Sequence, residues 1–124
     1  MNNLYTIFCD GGNKKGVIYG SFKIFSHDGL ELAHKQIVFG EGTSNLAEYL
    51  TFLEAIRFAL KNNYMDIIVF TDSSLVKYQI EGAWKCNYDH LKRARNKSRK
   101  LLENFNSWQI KHTPRNTIVG ILGH

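Results

Sequence analysis

This chain has too little of what disulfide frameworks, membrane spans and flexible tethers require. Only Cys9 and Cys86 supply thiols, which is not a disulfide framework. Cys9 falls in an apolar run that reads as a buried strand, so reduced thiols and a cytoplasmic home are expected. No apolar run approaches the roughly 20 residues that a bilayer-spanning helix needs. The first residues show no signal-peptide pattern, and no membrane partner is expected. Pro114 is the one proline. There is no internal repeat, low-complexity stretch or linker, so residues 1–124 read as one domain, long enough for a real core but too short for two. The chain is not poor in core material. A hydrophobic fraction of 44% and an aromatic fraction of 13% argue for an ordered globule. A net charge of +5 favours a polyanionic partner without selecting nucleic acid by itself.

Residues 4–10 and 16–26 read as strands, the second alternating in part through Val17, Tyr19, Phe22 and Ile24. His27-Asp28-Gly29 carries an Asp-Gly turn signal, so residues 30–39 return as a third, antiparallel strand. Leu46, Leu50, Leu53, Ile56 and Leu60 recur at helical spacing and predict an amphipathic helix over 45–61. A strand at 66–71, a short helix at 73–81, a basic helix from about 88 to 105, a strand at 107–113 and one helical turn after Pro114 complete the order. The strands at 66–71 and 107–113 follow helical crossovers, so parallel pairing is expected. The fold class is therefore α/β, a mixed sheet flanked by helices. Sites in such sheets gather beyond the carboxyl ends of the parallel strands.

Two acids fall at such ends. Asp10 closes the first strand ahead of Gly11-Gly12, and Asp72 follows Ile67-Ile68-Val69-Phe70-Thr71. Glu48 lies in the first turn of the helix that follows Thr43-Ser44-Asn45. Each has a plainer reading. Asp10 suits an Asx-turn, Glu48 suits a capping box with Asn45, and Asp72 suits the N-cap of a helix beginning at Ser73. Taken together, three acids presented to one edge repel one another unless a cation intervenes. Their hard oxygens suit Mg²⁺ or Mn²⁺.

At four places the chain resembles the type 1 ribonuclease H family. Asp10-Gly11-Gly12 is similar to its first catalytic aspartate with the glycines that let backbone approach the RNA strand. Thr43-Ser44-Asn45-Leu46-Ala47-Glu48-Tyr49 is similar to its asparagine-x-alanine-glutamate segment, and Thr71-Asp72-Ser73 to its strand-four aspartate-serine. Ile80-Glu81-Gly82-Ala83-Trp84 resembles its glycine-x-tryptophan stretch. The resemblance implies a ribonuclease H-like sheet of five strands, three antiparallel and two parallel. It implies hydrolysis of the RNA strand of an RNA–DNA hybrid, with two Mg²⁺ ions, or Mn²⁺ in their place, across Asp10, Glu48 and Asp72. Gly11, Gly12, Asn13, Asn45, Ser73 and Trp84 are then expected to contact the hybrid, with 2′-hydroxyl contacts from Gly11–Asn13 and the Asn45 region. A monomer is expected.

The family adds a fourth acid in an asparagine-x-x-alanine-aspartate-x-leucine pattern. Aligned on Asn116 and Leu122, that position holds Gly120. His124, one helical turn on, offers an imidazole that would reach back toward the metal, or else is a frayed terminal residue. The six cations Lys92, Arg93, Arg95, Lys97, Arg99 and Lys100 read either as a grip on the duplex backbone or as a solvated helix surface. Trp84 packs on a deoxyribose or in the core. His112, near the end of a site-facing strand, reads as a packing or hydrogen-bonding residue. Two rivals remain: a ribonuclease H-like module that binds hybrid without cutting it, and a superfamily nuclease acting on DNA.

Overall fold

A computed structural model describes residues 3–123. The elements run β1 (Leu4–Lys14), β2 (Val17–Phe25), β3 (Glu31–Glu41), α1 (Ser44–Lys61), β4 (Asp66–Thr71), α2 (Ser74–Glu81), α3 (Asp89–Leu102), β5 (Ser107–His112) and α4 (Arg115–Leu122). One five-stranded sheet has the order β3-β2-β1-β4-β5. β1, β2 and β3 pair antiparallel, and β4 and β5 join in parallel. This is the expected sheet.

The first strand does not end at Asp10. It continues through the glycines to Lys14, with Asp10 opposite Ser21, Gly11 opposite Gly20 and Gly12 opposite Tyr19. Glycine is a poor strand former, but here the space that a side chain would take is already filled. A Cβ on Gly11 would lie 2.5 Å from the Ala47 carbonyl carbon, and one on Gly20 would lie 1.7 Å from Thr51 Oγ1. The glycines let α1 rest directly on β1 and β2. The hairpin turns at Lys15 and Gly16, both with positive φ.

The core lies between the sheet and α1. Ile7, Cys9, Phe22, Ile24, Ile67, Val69 and Ile110 face Tyr49, Phe52, Ala55, Ile56 and Ala59, with α2 and α3 closing the side through Val76, Ile80, Leu91, Ala94 and Leu102. Each large side chain buried in this way contributes about 1.5–3 kcal/mol. Phe8 stacks on Phe70 and meets Phe25 edge-on, neither of them part of that core. The α4 helix is longer than the single turn expected and buries Ile118 and Leu122. No helix among the described residues is long and apolar enough to cross a membrane.

Candidate metal centre

The parallel pairing of β1 with β4 ends at Phe8 opposite Phe70. Asp10 and Asp72 each follow that pair by two residues, which sets them side by side at the carboxyl end of the sheet. α1 begins beside them. Its N-cap is Thr43, whose hydroxyl accepts from the Leu46 amide at 3.2 Å. The capping box of Asn45 with Glu48 therefore does not form. Glu48 Oε1 instead accepts a short hydrogen bond from the Gly11 amide, which turns the carboxyl toward β1. Asp72 is not a cap either. Ser73 holds that position, its hydroxyl accepting from the Val76 amide at 3.1 Å. Neither Glu48 nor Asp72 therefore serves as a helix cap.

One carboxylate oxygen from each of Asp10, Glu48 and Asp72 lies within 4.8 Å of the others. Asp10 is buried, its side chain 2% exposed, against 11% for Asp72. Asp72 Oδ1 is buried and has no hydrogen-bond donor placed on it among the described residues, a costly state for an anion whose ion pair, with Arg115, is made through its other oxygen. Burial, a hydrogen bond toward Asp72 and the charges of Asp10 and Asp72 push the Glu48 carboxyl up to about 9, against the opposing Gly11 amide. The same acids, after burial itself, raise the Cys9 thiol just behind them. A buried oxygen without a donor, a carboxyl that keeps its proton and an all-oxygen donor set describe a site fitted to a hard divalent cation.

Arg115 reaches this cluster. Its Nη1 stands 3.2 Å from Asp72 Oδ2 and 3.6 Å from Asp10 Oδ1. The sequence reading missed it, although a cation directly after the strand that parallels β4 was the available signal. Above the acids opens a groove of about 560 Å³, lined in part by Gly11, Gly12, Asn13, Asn45, Ser73 and Arg115. Five of the six residues expected to contact the hybrid thus line this groove. Asn13 also works within the fold, donating to the Gly42 carbonyl at 2.7 Å and accepting from the Gly16 amide at 2.8 Å. Trp84 is not among the groove's lining residues. It is half exposed and tilted against Tyr78. Gly120 is exposed and does not line the groove. His124 lies outside the described residues.

The comparisons agree with this fold. A family model described as reverse transcriptase-like matches residues 22–119. The RNase H1 structure of Halobacterium salinarum is 32% identical, has a TM-score of 0.89 and covers 93% of this chain and 89% of its own. The chain belongs to the ribonuclease H family. Ribonuclease HI of the same organism is 38% identical over 94 residues, 76% of this chain and 47% of that protein. The chain thus spans about half the length of that curated relative. The N-terminal RNase H domain of a Mycobacterium tuberculosis protein is 25% identical, with a TM-score of 0.89 over 94% of this chain and 86% of the other.

The basic face of this ribonuclease H domain is less uniform than its sequence suggests. Lys92, Arg93, Lys97 and Lys100 are exposed on α3. Arg99 is committed inward, donating to the Gln79 carbonyl at 2.9 Å and the Ile80 carbonyl at 3.0 Å. Gln79 in turn accepts from the Tyr49 hydroxyl at 2.6 Å and donates to the Lys85 carbonyl at 3.0 Å. This buried network ties α1, α2, the 82–88 loop and α3 together.

Proposed function

We propose that this domain is a metal-dependent endonuclease that hydrolyses the RNA strand of RNA–DNA hybrids. One observation carries the reading: acids from β1, α1 and β4 converge within 4.8 Å at the floor of an open groove. Membership of the ribonuclease H family supports it. Asp10, Glu48 and Asp72 would hold Mg²⁺, with Mn²⁺ as a substitute. When bound, the ion supplies Lewis-acid activation of water and charge stabilisation at the phosphate.

The chain's own residues do the rest. The Gly11 amide fixes the Glu48 carboxyl, and the strand backbone fixes Asp10, so the ligands are preorganised on rigid elements. The exposed Asn45 amide and the Gly11–Asn13 strand end present donors and acceptors along the groove, suited to 2′-hydroxyls, which DNA lacks. The exposed cations of α3 would hold the partner backbone by charge. The protein acts as a monomer in this reading. Both cysteines are free and buried, in keeping with a cytoplasmic setting.

The deciding assay is a labelled RNA–DNA hybrid incubated with Mg²⁺ and then Mn²⁺, beside duplex RNA and duplex DNA. Cleavage confined to the RNA of the hybrid, lost in Asp10→Asn, is the expected result. Hybrid bound but uncut would make the domain a binding module, and cleavage of duplex DNA would place it among the DNA-cutting nucleases.

A further inference from the structure

Among the described residues, a positive charge, that of Arg115, meets the acidic site. Arg115 is the first residue of α4, placed by the rigid Pro114 that caps the helix. Its guanidinium spans Asp10 and Asp72 at 3.6 and 3.2 Å. The Asp10 charge stabilises it further in its protonated form. Among the described residues α4 carries no acid, and the acidic cluster there consists of Asp10, Glu48 and Asp72.

Charge balance then limits what the site holds. Three ionised carboxylates are neutralised by one divalent ion together with the Arg115 guanidinium. A second divalent ion would leave an excess of two positive charges, with a fixed cation already in contact with two of the ligands. Like charges at such separations repel strongly once partly buried. We infer that Arg115 is a built-in second cation: without substrate the site would take one divalent ion, and the guanidinium supplies to Asp10 and Asp72 the positive charge that a second would otherwise bring. This rests on the proposed metal site and deepens it.

Arg115 is 62% exposed, so replacing it removes charge without opening the core. Isothermal titration of the metal-free protein with Mn²⁺, in the absence of nucleic acid, tests the inference. Circular dichroism confirms that the variants fold. The wild type is expected to take up one ion. Arg115→Gln is expected to take up two, with the first bound about tenfold more tightly because two ion pairs no longer compete. Arg115→Lys keeps the charge and is expected to stay at one ion. Two ions on the wild type, or identical titrations for wild type and Arg115→Gln, would overturn the inference while leaving the metal site standing. No uptake by either protein would remove the metal site itself, and the inference with it.

Discussion

Gly11 lies so close to Ala47 that a Cβ on the glycine would sit 2.5 Å from the Ala47 carbonyl carbon and 2.6 Å from its oxygen. These obstacles are helix backbone, which has no rotamer by which to retreat. The same approach lets the Gly11 amide reach Glu48. Close packing and ligand orientation therefore depend on one missing methyl group.

Gly11→Ala is thus expected to do two things at once. Overpacking of this kind costs about 1–3 kcal/mol, readable as a lower denaturation midpoint. Pushing α1 outward also lifts Glu48 from Asp10 and Asp72, so divalent-ion affinity should fall along with stability. Stability lost at unchanged ion affinity would show that the Glu48 carboxyl does not depend on this contact.

The cations of α3 divide into two kinds. Arg99 donates to the carbonyls of Gln79 and Ile80 at the end of α2, and Arg99→Ala should cost about 1–3 kcal/mol by taking a charged donor from both, the Gln79 carbonyl keeping only the Gly82 amide. Lys97→Ala should shift stability by less than about 0.5 kcal/mol. It should instead lower the slope of log affinity against log salt for hybrid by about 0.9 if it meets a phosphate. Denaturant unfolding and binding at several salt concentrations separate the two, and equal stability loss in both variants would refute the division.

Most of the architecture was legible in the sequence because hydrophobic periodicity carried it. The leucine spacing located α1, and the apolar runs before Asp10 and Asp72 located the central strands. Local chemistry was harder to read. Thr43 and Asn45 are both good caps, and only tertiary packing, through Gly11 against Ala47, decides where α1 begins. The end of β1 was misplaced because glycines that ordinarily break a strand are here required by the helix above it. Arg115 was harder to find although β5 was expected beside β4, because cation sites are sought among acids and histidines, and a guanidinium paired with two of those acids shows only once the start of α4 is placed against them.

Gly120 offers a direct check on the missing acid. A Cβ there meets nothing within 4 Å, so Gly120→Asp should fold without strain and gain a few tenths of a kcal/mol from helix propensity. The position is exposed, between buried Ile118 and Leu122, and is not among the residues that line the groove. The ion stoichiometry in Mn²⁺ titration should therefore not change. A second ion gained by this variant would show that an acid at position 120 does reach the site.

Glu48 makes metal binding a proton-exchange reaction. Its carboxyl titrates ordinarily at 4.5, but in the metal-free fold it is pushed up to about 9, first by burial and then by its acidic neighbours. Between those values the folded state holds a proton that the unfolded chain has released. Metal-free stability should therefore fall as pH rises from about 4.5 to about 9, and then level off. A divalent ion binds only the ionised ligand, so its uptake near neutral pH should expel about one proton, and apparent affinity should rise with pH until about 9. Calorimetric titrations in two buffers of different ionisation enthalpy read that proton directly. Glu48→Gln should flatten the pH dependence of metal-free stability and weaken ion binding by more than about tenfold, the scale on which even residues supporting a ligand act. Binding enthalpies that agree between the two buffers would mean that Glu48 is already ionised and that the cluster tolerates three negative charges without a cation.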